Sequence, residues 1–283
     1  MTRREILSGF LPGSDFRAFL ALQPETILVE VSGTQGSTPR EAGTFMLVSA
    51  RSVWGTIGGG QFEFIAIGNA REMLAGTGGT EMMDIPLGPE IGQCCGGRTQ
   101  LRFRPVTDTV RDELEKKQEE ETERLPEVYV FGAGHVGRAL AASLAPLPLS
   151  VTVIETRRDE LANLPASTKS RLVPMPEALV KDMPAGAALV ILTHDHALDF
   201  LIAREALART DFAYVGMIGS ATKRATFASW LSREAGGERS WLDRLTLPIG
   251  GSAVKDKRPE VIAAVTAAEI LTALSAYRNR SSS

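Results

Sequence analysis

Hydrophobic positions change their rhythm once along this chain. "TILVEVSG" (26–33) alternates apolar and polar residues and predicts a half-buried strand. "TFMLVS" (44–49) and "SVWGTI" (52–57) predict a hairpin around Ala50 and Arg51. Glycines open the next stretch, "GGGQFEFIAIGNAREMLAG" (58–76), in which Phe62, Ile65, Ala66, Ala70 and Met73 share one face at helical spacing. "TEMMDIPL" (80–87) and "RTQLRFRPV" (98–106) predict two further strands, so the first half reads as α+β. From residue 127 onward the alternation gives way to short unbroken apolar runs: "EVYVFGAG", then "SVTVIET", "AALVILTH" and "FAYVGMIG". A helical segment, "HVGRALAASLA", follows the first of them. Such runs suit parallel strands covered on both faces. The second half therefore predicts a Rossmann-like, doubly wound α/β domain.

The two patterns are separated by "TVRDELEKKQEEETERLPE" (109–127), which mixes acids and bases and shows almost no apolar stripe. It predicts a solvated helix or a flexible linker. The expected division is an N-terminal domain over 1–107, a charged linker over 108–126 and the Rossmann-like domain over 127–283.

Composition narrows the function classes. Among 283 residues, 43% hydrophobic and 23% charged content is that of a globular protein. A formal net charge of −3, without any Lys/Arg block, gives no support to nucleic-acid binding. The N-terminus has no apolar stretch long enough for a signal peptide, and no transmembrane run is expected to follow. Two cysteines without a disulfide framework point to a reduced cytoplasm.

Candidate chemistry falls in three places. The first is Gly132-Ala133-Gly134-His135-Val136-Gly137, a G-x-G-x-x-G between a predicted strand and helix. Gly132 permits a tight turn, Gly134 lets backbone approach a diphosphate at the helix N-terminus, and Gly137 lets helix and strand pack closely. Glu155 ends the next strand, where an acid can bind a ribose diol. The same glycines also serve a scaffold that binds no nucleotide, and the motif alone leaves both readings open. The second place is the ends of later strands. "LTHDHALD" (192–199) presents His194, Asp195 and His196, while "GMIGSATKR" (216–224) presents Ser220, Lys223 and Arg224. Proton transfer or ligand contact is open to these groups; so are helix caps at Asp195 or Ser220 and solvated cations on a helix.

The third place is a set of glycine-rich turns in the first half: "GTQGSTPREAG" (33–43), "GTIGGGQFE" (55–63) and "GPEIGQCCGG" (88–97). If they converge, they offer backbone N–H groups, Arg40, Gly96 and two thiols to an anionic, sulfur- or metal-bearing ligand. Cys94 and Cys95 are adjacent, which makes a poor structural disulfide and lacks the C-x₂-C spacing of zinc ligands. Neighbouring backbone N–H groups and Arg98 would favour their thiolates.

Taken together, "GSTPREAGTFMLV", "GTIGGGQFE", "GQCCGG", "VFGAGHVGRAL", "THDHALD", "YVGMIGSATKR" and "PIG" before "EVIAAVTAAEIL" resemble the XdhC/CoxI family over nearly the whole chain. The family comprises accessory proteins of xanthine dehydrogenase and related molybdenum hydroxylases. The resemblance implies a protein that binds molybdenum cofactor (molybdopterin), supports its sulfuration with a cysteine desulfurase, and inserts it into the apo-hydroxylase. It makes Cys94 and Cys95 the expected cofactor and molybdenum contact, and it assigns no catalytic residue. The glycine-rich turns and the crevice of Gly132, Gly134, Gly137, Glu155, His194, Asp195 and Lys223 complete the expected binding residues, and a homodimer stays open. The rival reading is an NAD(P)- or FAD-dependent oxidoreductase that uses Gly132, Gly134, Gly137 and Glu155, with His194 or His196 as acid/base. Two departures stand out. Gln61 occupies the position of a family cysteine, and "PIGGSAVKDKRPEVIAA" replaces a "PIGLDIGAKTPEEIA"-like pattern.

Overall fold

The computed structural model describes residues 15–88, 96–251 and 253–281. The chain divides into two compact units, 1–119 and 120–283.

The first unit is built on an antiparallel sheet whose strand order is β3-β2-β1-β5-β4. The strands are β1 (Thr26–Gln35), β2 (Phe45–Ser49), β3 (Val53–Gly55), β4 (Met82–Pro86) and β5 (Arg98–Pro105). Alternation in β5 works as expected: Thr99, Leu101 and Phe103 are buried while Arg98, Gln100 and Arg102 are exposed. One face of the sheet is closed by helix Gly60–Ala75, whose Phe62, Ala66, Ile67 and Ala70 pack on Ile27, Val29, Met46 and Phe103.

The other face corrects the half-buried reading of residues 26–33. Thr26 through Val29 are buried without alternation, because this face is covered as well. Helix α1 (Phe16–Leu22) and helix Asp108–Glu123 supply Phe16, Phe19, Leu20, Val110 and Leu114 against Leu28 and Leu47. With Gly60–Ala75 as α2 and Asp108–Glu123 as α3, most of the charged run is thus a structural helix of the first unit and not a separate linker. Its apolar stripe is only two residues wide, Val110 at 7% and Leu114 at 6% exposure, and Lys117 ties it further by donating to the Gly43 carbonyl at 2.8 Å.

The second unit holds a parallel sheet in the order β11-β10-β9-β6-β7-β8. Its strands are β6 (Glu127–Phe131), β7 (Ser150–Glu155), β8 (Lys169–Leu172), β9 (Ala188–Ile191), β10 (Tyr214–Met217) and β11 (Leu245–Thr246). The winding reverses between β6 and β9, and in such sheets ligands bind beyond the strand carboxyl ends at that reversal. Helices α4 (His135–Leu144), α5 (His196–Ala208), α6 (Ala221–Arg233) and α7 (Pro259–Ser281) cover the two faces. Leu140, Ala141 and Leu144 of α4 share a core with Ala263, Ala267 and Ile270 of α7. Ile202, Ala203 and Leu207 of α5 share the opposite core with Phe227 and Leu231 of α6. By length and composition, residues 259–280 could span a membrane, which the sequence reading did not anticipate. Here that apolar surface includes Ala263, Ala267, Ile270 and Leu274, all buried within the unit.

If α3 belongs structurally to the first unit, Leu114→Ala should cost about 2–4 kcal/mol of its unfolding free energy, a buried Leu→Ala penalty. Lys116→Ala, an exposed site on the same helix, should stay within about 0.5 kcal/mol. Urea denaturation followed by tryptophan fluorescence would separate the two, and equal effects would return α3 to the status of a solvated linker.

Candidate functional site

At the reversal point the glycine motif is held by steric necessity. A Cβ on Gly137 would lie 2.1 Å from the Gly132 carbonyl oxygen, and one on Gly132 would lie 2.4 Å from the Leu192 carbonyl oxygen. The turn after β6, the start of α4 and the loop after β9 therefore approach to backbone contact. Gly132 also has φ +111°, which side chains disfavour. Gly134 is different: it is the N-cap of α4, provides no side-chain cap, and has no atom within 4 Å of where a Cβ would stand. Open space over uncapped helical N–H groups is suited to an anion.

Glu155 does not stand ready for a ribose. It is buried at 3% exposure. Oε2 accepts from Ala133 N at 2.8 Å and Arg157 Nη2 at 3.4 Å; Oε1 accepts from Thr156 N, Arg157 N and Arg157 Nε at 2.8, 3.0 and 3.3 Å. Burial alone would raise its pKa, but these donors outweigh burial and hold it at about 2. The carboxylate joins the glycine turn to the end of β7. Its lone pairs are already engaged, which corrects the expected ribose role.

The loops after β9 and β10 are corrected in the same sense. Asp195 is the N-cap of α5, accepting from Ala197 N at 2.8 Å, and Ser220 caps α6. Lys223 is neither an anion site nor solvated. Its Nζ lies 2.5 Å from Oδ2 of the fully buried Asp199 and donates to the Ile218 carbonyl at 3.0 Å. Asp199 Oδ1 accepts from Thr193 N and Oγ1 at 2.9 and 2.7 Å. Arg224 donates to the carbonyls of Leu242 and Leu245. His194 and His196 are exposed at this edge, and no metal-holding group of His, Cys, Asp and Glu occurs among the described residues.

In the first unit the glycine-rich turns do meet. A Cβ on Gly97 would strike the Ser37 and Gln35 carbonyl oxygens at 2.2 and 2.7 Å, and one on Gly58 would strike Pro39 Cγ at 2.7 Å. Leu87 and the Gly96–Gly97 pair exchange backbone hydrogen bonds of 2.8 and 2.9 Å, which fixes the base of the cysteine turn beside the loop 35–37. Cys94 and Cys95 themselves lie outside the described residues. Glu63 pins the neighbouring turn: its Oε2 accepts from Thr56 Oγ1, Ile57 N and Gly59 N at 2.5, 3.0 and 3.1 Å. Arg40 is exposed and has no ion pair among the described residues, while Arg98 is paired to Asp84 at 2.7 Å. The same cluster presents Gly96 and Gly59 with no atom within 4 Å of a Cβ position.

Residues 128–270 match the XdhC Rossmann domain, and residues 21–85 match the XdhC and CoxI family. The chain belongs to the XdhC and CoxI family. This XdhC-family protein is 28% identical over 260 residues to the uncharacterized protein YqeB of Escherichia coli strain K12, a match covering 86% of the chain but only 42% of that relative. In fold it resembles a crystal structure described as a xanthine dehydrogenase from Bacillus halodurans, with a TM-score of 0.72 and 16% identity over 92% of this chain and 95% of the other.

Sequence reasoning on this XdhC-family protein missed Glu63, Asp199, Arg157 and Glu269 as turn-fixing groups. Glu63 and Asp199 left a signal, an acid in the first turn of a helix.

Two consequences can be measured. Because the folded-state pKa of Glu155 lies below its ordinary value of 4.5, its contribution is complete above about pH 4.5 and is lost as pH falls toward about 2. It should amount to about 3 kcal/mol. Glu155→Gln should lower stability at neutral pH and flatten that acid-side decline in urea titrations at stepped pH. Separately, Lys223→Met strands a buried carboxylate and should cost about 3–5 kcal/mol, whereas Lys223→Met with Asp199→Leu should cost clearly less than the two single changes added. Simple additivity in that cycle would mean the ion pair does not couple the two loops.

Proposed function

We propose that this protein is an accessory factor for xanthine dehydrogenase or a related molybdenum hydroxylase, acting in the cytoplasm. On this reading it binds molybdenum cofactor, supports its sulfuration in partnership with a cysteine desulfurase, and delivers it to the apo-enzyme. The observation that carries the reading is family membership in both halves, with the glycine-rich turns of the first half gathered at one place.

The residues present fit such a group. In the second unit, the N–H groups beyond Gly134 carry no side-chain cap and by themselves suit a phosphate. In the first unit, glycine backbone at Gly59 and Gly96 leaves unobstructed space, with Arg40 as an anion contact. Cys94 and Cys95 would meet the metal end, since soft thiolates suit a thiophilic centre. When bound, the cofactor supplies the molybdenum chemistry that the client enzyme uses. The protein's own part is to bind, orient and shield it.

Hydride transfer on a dinucleotide has less support. Its expected ribose acceptor, Glu155, is fully engaged by Ala133, Thr156 and Arg157.

Anaerobic purification followed by pterin and molybdenum analysis tests the proposal. Wild-type protein should carry both and should activate the apo-hydroxylase. Cys94→Ala/Cys95→Ala should lose both properties while circular dichroism stays unchanged, since alanine replaces a small thiol without crowding. Gln61→Cys should not be required for loading. Cofactor retention and client activation by the double alanine variant would overturn the assignment.

A further inference from the structure

A cavity of about 480 Å³ opens in the second unit at the carboxyl ends of β10 and β11, lined by Ile218, Gly219, Ile249, Gly250, Lys255 and Lys257 among others. It is separate from the glycine crevice: neither Gly132, Gly134 nor any residue of α4 lines it. Its size lies within the roughly 300–1,000 Å³ of small-molecule sites.

The chemistry of the lining is two-sided. Ile218, Ile249, Val254, Ile262 and Val265 give an apolar wall. Val254 is 45% exposed. The polar side holds Lys255, Asp256 and Lys257. Lys255 and Lys257 have no acid within 4 Å among the described residues, because the intervening Asp256 is taken by Arg258, at 2.6 Å to Nη2 and 2.9 Å to the backbone N. Gly250 and Gly251 have φ +77° and +62°. Gly250 N donates to Glu269 Oε2 at 3.0 Å, and the same oxygen accepts from the buried Tyr214 hydroxyl at 2.8 Å. Both of those bonds fall on Oε2 of Glu269. Two lysines with no ion pair among the described residues, beside an apolar wall, match a ligand with a compact dianion at one end and a flat apolar body at the other.

We propose that this cavity is a second ligand site that takes a phosphomonoester of nucleotide size, its phosphate on Lys255 and Lys257 and its ring system on the apolar wall. The site is independent of the cofactor reading above.

Calorimetric titration of the full chain with AMP and with flavin mononucleotide tests this, with adenosine and inorganic phosphate as partial ligands. At least one phosphomonoester should bind saturably at one site per chain, at least about tenfold tighter than either partial ligand. Lys255→Ala/Lys257→Ala should weaken it at least about tenfold, Val254→Asp should weaken it too, and raised salt should reduce the wild-type affinity. Gly134→Val should leave it unchanged. Absence of saturable binding, loss through Gly134→Val instead of the lysine pair, or equal affinity for inorganic phosphate would each overturn the proposal. Pterin and molybdenum content of the lysine variant separates the two ideas: normal loading without nucleotide binding removes only this site, and lost loading with intact nucleotide binding removes only the cofactor reading.

Discussion

Backbone meets backbone at Gly132, Gly137 and Leu192 so closely that a single added carbon would lie 2.1 to 2.4 Å from a carbonyl oxygen. Because nothing larger than hydrogen fits, the turn after β6, the first turn of α4 and the loop after β9 are locked into one arrangement. That arrangement brings an uncapped helix N-terminus to the point where the sheet reverses its winding, and leaves Gly134 facing open space. The crevice is therefore a product of packing, and its shape does not wait for a ligand.

A second constraint recurs at four turns. A carboxylate sits beneath the turn and accepts backbone N–H groups from it. Glu63 does this for Ile57 and Gly59, Glu155 for Ala133 and Arg157, Asp199 for Thr193, and Glu269 for Gly250. Each donor would otherwise be costly to bury unpaired. Acids that look catalytic in sequence thus act as pins, and the surfaces they leave at these turns are largely backbone and glycine. Exposed N–H groups of that kind suit an anion.

Periodicity and turn chemistry made much of the fold legible. The alternation of "RTQLRFRPV" and the unbroken "AALVILTH" each correspond to the strand type they predict, because one strand face or two is covered. Glycines 132, 134 and 137 were readable for a related reason: their absence of side chain is itself the signal. The role of α3 was not readable. Val110 and Leu114 look incidental in a charged run until Leu28 and Leu47 present an uncovered face to them.

For the candidate site the division is sharper. Residue order determined which backbones could turn tightly, which segments would be apolar enough to form a covered parallel sheet, and which family the chain belongs to, since all of these are local properties of spacing and side-chain volume. Only the tertiary structure decided which charged groups remain available. Lys223 is silenced by Asp199, 24 positions away, and Glu155 by an N–H donated 22 positions before it. Lys255 and Lys257 have no ion pair among the described residues, and the acid between them turns to Arg258. A charge in a sequence has no fixed role, because Coulomb attraction and hydrogen bonding act over a few ångströms of space, and chain distance does not specify who stands there.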